Sequence, residues 1–407
     1  MCSVRKPTTI SGADDVGRLA TVAKSLSLLE KDISMALSIK AVRAIALEAP
    51  LDPTAQVTAF GPRAKAALVL VEIETSDGIV GYGEALARYS LRSYISLIED
   101  LLAPRLIGKN PFHVEGLWQT MVRAITGKAG GILLEAISAC DIALWDIMGK
   151  ATGQPIHHLL GSTGRTHVPA YASSITWGDD SIATKQVEDA LRAGFRSIKI
   201  KIGLPVERAI ARATLVRRLT GDGIELTADG NWAFDFDDSI RVGRRLADLG
   251  YAWFEEPMIS EDIEGYRRLR AALPIRLAAG ESEHTVWGCR DLIATGSVGV
   301  IQPDVARAGG ITECRRIGHF AYAHGVPFAP HVGFCGAICN AASLHLAAAL
   351  PNFLTFEAMI FENPLRQGLA TTDVGSIDLL KNGQLPIPDG PGLGIEVDQS
   401  AIERYRV

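Results

Sequence analysis

The feature that most constrains the fold of this sequence is the equal spacing of three acidic residues that each close a short apolar run. Asp229 follows Ile-Glu-Leu-Thr-Ala, Glu255 follows Tyr-Ala-Trp-Phe, and Glu281 follows Ile-Arg-Leu-Ala-Ala-Gly. Successive members of this acidic triad lie 26 residues apart, a length that accommodates one strand, one helix and two loops of a β/α repeat. The spacing therefore predicts that the three carboxylates stand at the C-terminal ends of neighbouring parallel strands and point into one mouth.

The same alternation of strand and helix extends on both sides of the acidic triad. Amphipathic stretches such as Val206–Leu219 and Ser239–Leu249 separate short apolar runs that are typical of strands. The candidate strands are Val168–Ala172, Ser197–Ile202, Glu225–Ala228, Ala252–Phe254, Arg276–Ala279, Val300–Pro303, Val326–Pro330 and Leu354–Phe356. Strands that alternate with helices in this way over roughly 200 residues predict a β/α barrel.

The residues before the barrel predict a separate α+β region. Residues 39–50 and 66–84 are typical of a small antiparallel sheet. Thr54–Ala64 is expected to be an exposed loop, and helical periodicity dominates between Ser90 and Met148. The segment before Met35 mixes polar residues with a weak apolar pattern and has no signal-peptide core, so export is not expected. One expectation is that Met35 is an alternative start and the preceding segment an extension.

Composition and charge argue against several classes of partner. The chain is 47% apolar and 21% charged with a net charge of −5, which gives no electrostatic case for a nucleic-acid or membrane partner. No apolar run is long enough to span a bilayer. The cysteines are scattered, and Cys335 and Cys339 have no second Cys/His pair at zinc spacing. A reduced, cytoplasmic protein is therefore expected.

The acidic triad is expected to bind a metal ion. Three converging carboxylates cannot all stay ionised without a counter-charge, and a hard divalent cation supplies one. Ligands that are all oxygen atoms favour magnesium over softer metals. Any single acid of the triad fits a helix N-cap or a surface charge equally well, so the metal interpretation depends on the equal spacing after three apolar runs.

A second candidate cluster is the lysine pair Lys199 and Lys201 within Ser197-Ile-Lys-Ile-Lys-Ile. Because side chains alternate along a strand, both lysines are expected on one face, with Ser197 beside them. Lysines inside a barrel need compensating anions, and crowded cations lower each other's pKa, which makes a neutral lysine base accessible. The alternative is an exposed edge strand with solvated lysines, but a closed parallel barrel has no open edge.

Two further candidate strand ends carry polar residues. Asp304 ends Val300-Ile-Gln-Pro-Asp and His331 ends Val326-Pro-Phe-Ala-Pro-His, so the carboxylate is expected to accept one ring N–H and raise the basicity of the other nitrogen. Glu357 ends Phe353-Leu-Thr-Phe-Glu and is expected to polarise or protonate a substrate oxygen. An alternative is that Glu357 caps the next helix or pairs with Arg366.

Together these residues resemble the enolase superfamily, specifically its mandelate racemase subgroup, over residues 38–407. The matching motifs are Gly81-Tyr-Gly-Glu84, Asp141-Ile-Ala-Leu-Trp-Asp146, Lys199-x-Lys201, Asp229-Gly-Asn231, Trp253-Phe-Glu-Glu-Pro257, Gly280-Glu281, Gln302-Pro-Asp304, Pro330-His331 and Pro388-x-x-Pro391-Gly-Leu-Gly394. The resemblance implies a modified TIM barrel, (β/α)7β-like, over residues 164–368. It also implies an α+β capping domain over 38–163, to which segment 369–407 returns, with 1–37 as an N-terminal extension.

The resemblance also implies roles for individual residues. The acidic triad would bind one Mg²⁺ ion per subunit. Lys201 would be the base on one face of the substrate, and His331, oriented by Asp304, would be the base or acid on the opposite face. The other residues implied to contact the substrate carboxylate or the enediolate made from it are Lys199, Glu357, Ser173 and Asn231.

The reaction expected from this resemblance is dehydration of a sugar acid (aldonate or aldarate) to a 2-keto-3-deoxy acid. Alternatives within the subgroup are 2-hydroxy-acid racemisation and sugar-acid lactone cycloisomerisation, whose enzymes share an ending like Glu362-Asn-Pro-Leu-Arg366. Muconate-lactonising members carry a lysine where Asp304 stands, which argues against that branch and against the dipeptide epimerases. A catalytically silent barrel is disfavoured because the acidic triad, Lys201 and His331 are all present.

The distal end of the substrate is expected to meet loops of the capping region, chiefly Thr54–Ala64 and the stretch around Arg88 and Tyr89. Arg63 and Arg88 are expected to meet a second carboxylate or hydroxyl groups, which fits a polar sugar acid better than an aromatic one. Capped barrels of this type assemble as homo-oligomers, and a homo-oligomer is expected here, although no self-complementary patch is evident in the sequence.

Overall fold

The computed structural model describes residues 37–407, so residues 1–36, including Met35, lie outside the described part of the chain. The strands of its first part are β1 (Ile39–Pro50), β2 (Val57–Thr58), β3 (Gly61–Pro62), β4 (Lys65–Thr75) and β5 (Val80–Ala85). Strands β1, β4 and β5 pair antiparallel in the order β1-β4-β5. The small antiparallel sheet predicted from the sequence is therefore present.

The segment Thr54–Ala64 differs from the exposed loop that the sequence predicts. It contains the β2–β3 ribbon, and both Gln56 and Thr58 are buried. The ribbon is tied to the barrel, because Val57 donates its N–H to Thr176 Oγ1 at 3.0 Å and accepts the N–H of Trp177 at 2.8 Å. These contacts join residues more than a hundred positions apart, which a local turn pattern does not reveal.

A series of helices follows the sheet, in the region where helical periodicity is predicted. The helices are α1 (Leu91–Ser96), a π-helical turn (Leu97–Leu102), α2 (Ala103–Leu106), α3 (Val114–Val122), α4 (Ile132–Thr152) and α5 (Ile156–Leu159). Helix α4 is buried along most of its length because it lies between the sheet and the barrel. On the barrel side, Trp145 Nε1 donates to Thr312 Oγ1 at 2.9 Å.

On its other side, α4 packs directly on β5 at two glycines. A Cβ atom added at Gly81 or Gly83 would overlap the backbone carbonyl oxygen of Ala143 or Ala139, respectively. Glycine at alternate positions of β5 therefore lets the helix backbone contact the strand, a requirement for close approach.

We expect Gly83→Ala to lower the free energy of unfolding by at least about 3 kcal/mol, since the added methyl group meets rigid backbone that cannot relax. Chemical denaturation followed by circular dichroism checks this value. The matched control is Gly78→Ala, where an added Cβ meets no atom within 4 Å. A small loss of stability is expected there as well, because alanine is strained at the positive φ of 89°. Equal stability of Gly83→Ala and wild type would show that helix and strand are not in backbone contact.

The second part of the chain is a curled parallel sheet surrounded by helices. Its strands are β6 (His167–Ile175), β7 (Ser197–Lys201), β8 (Glu225–Asp229), β9 (Trp253–Glu255), β10 (Arg276–Ala279), β11 (Val300–Ile301) and β12 (Phe356–Met359). They pair in the order β11-β10-β9-β8-β7-β6-β12. The helices between them are α6 (Asp180–Ala193), α7 (Val206–Thr220), α8 (Phe236–Asp248), α9 (Ile263–Ala272), α10 (Thr285–Ala294), α11 (Gly310–Ala323) and α12 (Ala337–Ala349).

The predicted strand Val326–Pro330 is not a regular strand, although it occupies the expected place between β11 and β12. Phe328 forms isolated parallel bridges with Ile301 on one side and Phe353 on the other. Pro327 and Pro330 have no N–H to donate, so a continuous ladder cannot form along this segment. The segment nevertheless closes the parallel sheet into a modified barrel.

The last strand of the barrel also lies later in the chain than predicted. The sequence predicts Leu354–Phe356, whereas β12 runs from Phe356 to Met359. Glu357 is thus inside the strand and not at its end. The register places Glu357 beside Tyr171 of β6.

The remaining residues return to the first part of the chain. They form α13 (Pro364–Gln367), a 3₁₀ turn (Ile377–Leu379), β13 (Gln384–Pro386) and α14 (Gln399–Tyr405). Strand β13 pairs antiparallel with β6, and Arg406 bridges Leu47 of β1. Among residues 37–407, no helix is both long and apolar enough to cross a membrane.

Candidate active site

The structure brings the acidic triad together at one end of the barrel. Asp229 and Glu255 are the last residues of β8 and β9 and are paired in register, and Glu281 lies two residues beyond β10. Carboxylate oxygens of the three residues all lie within 4.8 Å of one another, and all three side chains are buried. The 26-residue spacing has this result because each repeat returns the chain to the same edge of the sheet.

The lysine pair lies directly beside the acidic triad. Lys199 and Lys201 project from the same face of β7, as alternation requires. Lys201 forms an ion pair with Asp229, and Lys199 forms one with Glu255 and a second, at 2.7 Å, with Glu357. The lysines therefore compensate part of the negative charge of the carboxylates, as buried ionised groups require.

The pKa of Lys199 is shifted in the direction opposite to the one expected from the sequence, where neighbouring cations are expected to lower each other's pKa. Burial lowers the pKa of Lys199, but the charges of Glu255 and Glu357 outweigh it and hold the pKa well above its ordinary value. For Glu357, burial raises the pKa, yet Lys199 and then His331 outweigh it and bring the pKa well below normal. These opposite pKa shifts favour the ionised forms of both Lys199 and Glu357.

His331 and Asp304 form the predicted pair. His331 Nδ1 lies 2.7 Å from Asp304 Oδ2, and Asp304 Oδ1 accepts the N–H of Ala306 at 2.8 Å. The other ring nitrogen, Nε2, lies 3.2 Å from Glu281 Oε2. Burial lowers the pKa of His331, but the charge of Glu281 and the hydrogen bond to Asp304 outweigh it and raise the pKa above its ordinary value.

A cavity of about 280 Å³ opens above these groups. Its inner wall includes Lys201, Glu281, His331 and Glu357. Its outer wall includes residues of the capping region, namely Phe60, Arg63, Arg88 and Tyr89. The cavity therefore joins ionisable groups of the barrel to the loops that the sequence predicts to contact the substrate.

Two residues predicted to contact substrate do not line this cavity. Lys199 is fully buried beneath Glu255 and Glu357. Ser173 is also fully buried and donates its hydroxyl hydrogen to Glu357 Oε1 at 2.6 Å. Both side chains therefore hold Glu357 in place, while Glu357 Oε2 accepts the N–H of Val332 at 2.9 Å. Arg366, the alternative partner of Glu357, donates to the carbonyl oxygen of Phe361.

Asn231, by contrast, lies in the cavity wall. Its N–H donates to Asp229 Oδ1 at 2.8 Å and its Nδ2 donates to Asp229 Oδ2 at 3.1 Å. Its Oδ1 is buried without a hydrogen-bond partner. Asn231 and Trp232 both have left-handed backbones, with φ of 43° and 59°, and such a conformation in a bulky residue is typical of a functional loop.

Two residues that are not predicted as site residues orient the predicted ones. Gln302 Nε2 donates to Glu255 Oε2 at 2.7 Å. Gln302 lies two residues before Asp304, and since residues two apart on a strand face the same side, the sequence does contain a signal for this position. Arg307 is a second case, because its Nε donates to Glu135 Oε1 at 2.9 Å and its Nη1 to the carbonyl oxygen of Glu281 at 3.0 Å. No local pattern marks Arg307, since Glu135 belongs to α4.

The charges of the site fit a divalent cation. Five carboxylates, those of the acidic triad, Asp304 and Glu357, face two lysines and one imidazole in the described chain. Even with the imidazole protonated, negative charge exceeds positive charge by two. Burial raises the pKa of Glu255 to about 7 despite the nearby lysine, so the existing cations do not satisfy the carboxylates. The all-oxygen donor set suits Mg²⁺.

Two family models match this chain. The mandelate racemase / muconate lactonizing enzyme N-terminal domain matches residues 41–161, and the enolase C-terminal domain-like model matches residues 183–401. The chain therefore belongs to the enolase superfamily, in its mandelate racemase subgroup. This result confirms the resemblance drawn from the motifs and the modified TIM barrel with a capping domain.

Two curated relatives of this chain are named for a sugar-acid lactone and for a sugar acid. The D-galactarolactone cycloisomerase of Agrobacterium fabrum is 36% identical over 91% of this chain and 99% of its own length. The arabinonate dehydratase of Saccharolobus solfataricus is 36% identical over 83% of this chain and 90% of its own length. A solved racemase from Streptomyces coelicolor with bound magnesium has a TM-score of 0.83 at 28% identity and covers 91% of this chain and 100% of its own.

Proposed function

We propose that this protein dehydrates a sugar acid to a 2-keto-3-deoxy acid. The observation that carries the proposal is the inner wall of the cavity, where Lys201 and His331 lie beside three clustered carboxylates. Two basic groups at a site for the substrate carboxylate suit removal of the proton on the α-carbon. The names of the curated relatives, a cycloisomerase and a dehydratase, support the sugar-acid class.

The acidic triad would hold Mg²⁺. When bound there, this ion supplies positive charge that stabilises the negative charge developing on the substrate carboxylate. The protein's own contribution is to hold the ligands in place. Gln302 and Trp253 donate hydrogen bonds to Glu255, and Asn231 donates two to Asp229. These partners orient the carboxylates before any ligand binds, the usual function of residues around a metal site.

The reaction that these side chains support is a β-elimination. Lys201 or His331 takes the α proton, and the electron pair of the C–H bond passes into the carboxylate to give an enediolate. The electron pair then returns to form the α–β double bond as the β C–O bond breaks, and His331 gives a proton to the departing hydroxyl, releasing water. The resulting enol becomes the 2-keto-3-deoxy acid by proton transfer to its β-carbon.

In this scheme Asp304 keeps the imidazole oriented, since it accepts the hydrogen of Nδ1 and leaves Nε2 facing the cavity. Glu357 is fixed by Lys199, Ser173 and the N–H of Val332. It lines the cavity as a rigid hydrogen-bond partner for a substrate oxygen. This arrangement is pre-organised, which reduces the reorganisation needed during reaction.

Lactone cycloisomerisation is the second candidate, and the near full-length similarity to the galactarolactone cycloisomerase favours it. The reaction shares proton removal from the α-carbon. It differs in the leaving group, because the ring oxygen of the lactone departs in place of a hydroxyl and remains within the product as a carboxylate. Racemisation shares the first step as well, with the proton returned to the α-carbon.

Incubation of the purified protein with Mg²⁺ and a panel of aldonates, aldarates and their lactones tests the proposal. We expect at least one open-chain acid to yield a 2-keto-3-deoxy product, detected as its semicarbazone. Parallel NMR spectra in D₂O report exchange of the α proton. If only lactones are turned over, the function is cycloisomerisation and not dehydration. If no acid gives a product or exchanges its α proton, the proposal is refuted.

A further inference from the structure

The outer wall of the active-site cavity contains two arginines whose guanidinium groups both lie near one aromatic ring. The guanidinium carbon of Arg63 lies 4.9 Å from the ring centroid of Phe334, and that of Arg88 lies 5.8 Å from it. Arg63 also lies 5.7 Å from the ring of Tyr89. All four residues line the cavity that contains Lys201 and His331. Cation–π attraction to the aromatic rings favours these positions of the guanidinium groups.

Neither guanidinium has an acidic partner within residues 37–407. The Nε atom of Arg88 is buried and makes no hydrogen bond. Burial and then the charge of Arg307 lower the pKa of Arg88, and Arg63 lowers it further, although the charges of Glu281 and Asp304 act in the opposite direction. In contrast, Arg307 forms an ion pair with Glu135 at 2.9 Å. A buried guanidinium nitrogen without a partner costs free energy, so this pair favours an anion from outside the protein.

The cavity is thus divided by charge. Carboxylates dominate its inner end, next to Lys201, whereas its outer end carries the two arginines without any acid that pairs with them in the described chain. A planar guanidinium matches a carboxylate with two parallel hydrogen bonds, and a hydroxyl group offers neither that geometry nor a compensating charge. The cavity of about 280 Å³ suits a short substrate whose two ends reach both regions.

We propose that Arg63 and Arg88 bind a second carboxylate at the distal end of the substrate, so that the substrate is an open-chain sugar diacid (an aldarate). This inference rests on the proposed function, since it describes the same cavity and the same substrate. Aldonates end in a neutral hydroxymethyl group and lactones carry a neutral ester in place of one carboxylate. Both are therefore poorer substrates than the corresponding diacid.

Binding of simple acids tests the inference independently of turnover. Glutarate and adipate are titrated calorimetrically into the Mg²⁺-loaded protein and compared with pentanoate and hexanoate, which lack the second carboxylate. We expect a diacid to bind at least tenfold more tightly than the monoacid of equal length. In Arg63→Met and Arg88→Met we expect most of this preference to disappear, with Arg88→Lys intermediate because an ammonium cannot form the paired hydrogen bonds.

Arg92→Met is the matched control, because Arg92 is exposed, carries the same charge and lies outside the cavity. Thermal unfolding of each variant verifies the fold. Equal binding of monoacids and diacids by the wild type, or an undiminished preference in the Arg63 and Arg88 variants, would overturn the inference.

Kinetics separate this inference from the proposed function. A diacid and the aldonate with the same hydroxyl stereochemistry are compared as substrates, and we expect kcat/KM to favour the diacid through a lower KM. If aldonates are turned over and neither substitution changes their kinetics, the proposed site for a second carboxylate is refuted and the dehydratase proposal stands. If diacids bind preferentially through the arginines but no sugar acid is turned over, the second-carboxylate site is supported and the proposed dehydratase function is refuted.

Discussion

A Lys201→Met variant is expected to lose turnover of its sugar acid by about 10²–10⁴-fold, the contribution typical of a positioned general base. The reason is the position of Lys201, which lines the cavity and is paired with Asp229. Methionine keeps much of the side-chain length, so the barrel should remain folded. The measurement is kcat under saturating Mg²⁺, together with exchange of the α proton in D₂O.

His331→Asn is expected to reduce turnover over the same range, because the proton that leaves with the β-hydroxyl comes from this residue in the proposed reaction. The exchange experiment distinguishes the two roles. The variant that lacks the base loses exchange, whereas the variant that lacks the acid exchanges the α proton and forms little product. Lys185→Met, which removes an exposed lysine paired with Asp189, serves as the control. Normal exchange and turnover in both active-site variants would show that the base assignments are wrong.

The second large effect is expected from removal of the divalent cation. Chelation should lower turnover at least about 10³-fold, since charge stabilisation by a bound metal is worth several kcal/mol and about 1.4 kcal/mol corresponds to a factor of ten. Addition of Mg²⁺ should restore it. Glu281→Gln, which removes one charged ligand at constant size, should weaken Mg²⁺ binding in calorimetric titrations.

The exposed acid Glu264, which pairs with Arg267, provides the control variant Glu264→Gln. It should bind Mg²⁺ as the wild type does. Full activity after exhaustive chelation, with no metal detected by elemental analysis, would exclude a role for the cation. Unchanged Mg²⁺ affinity in Glu281→Gln would instead show that the ion binds elsewhere.

Much of the site could be placed from the sequence because a β/α barrel converts distance along the chain into position around a ring. Strand ends that follow one another at equal intervals must lie on the same rim, so the places of Asp229, Glu255 and Glu281 required no long-range information. The pair of Asp304 and His331 follows the same rule. Alternation along β7 likewise predicts that Lys199 and Lys201 share a face.

Other features depend on contacts that the chain does not encode locally. The pKa of Lys199 depends on Glu255 and Glu357, which belong to two other strands. The irregular backbone of Val326–Pro330 follows from Pro327 and Pro330, a signal that is present in the sequence but is outweighed by the apolar pattern. The contact between Arg307 and Glu135 spans 172 residues, and a single sequence contains no pattern that pairs positions so far apart.

The link through Arg307 has a consequence for how such proteins diversify. Tyr94 and Arg307 both donate hydrogen bonds to the carboxylate of Glu135, and Arg307 donates a further one to the carbonyl oxygen of Glu281. A chimaera that joins the capping region of one relative to the barrel of another would therefore disturb a proposed metal ligand unless the acid and the arginine are transplanted together. We therefore expect the two regions to be exchanged together, and new substrate preferences to arise by small changes in the loops before exchange of either region alone.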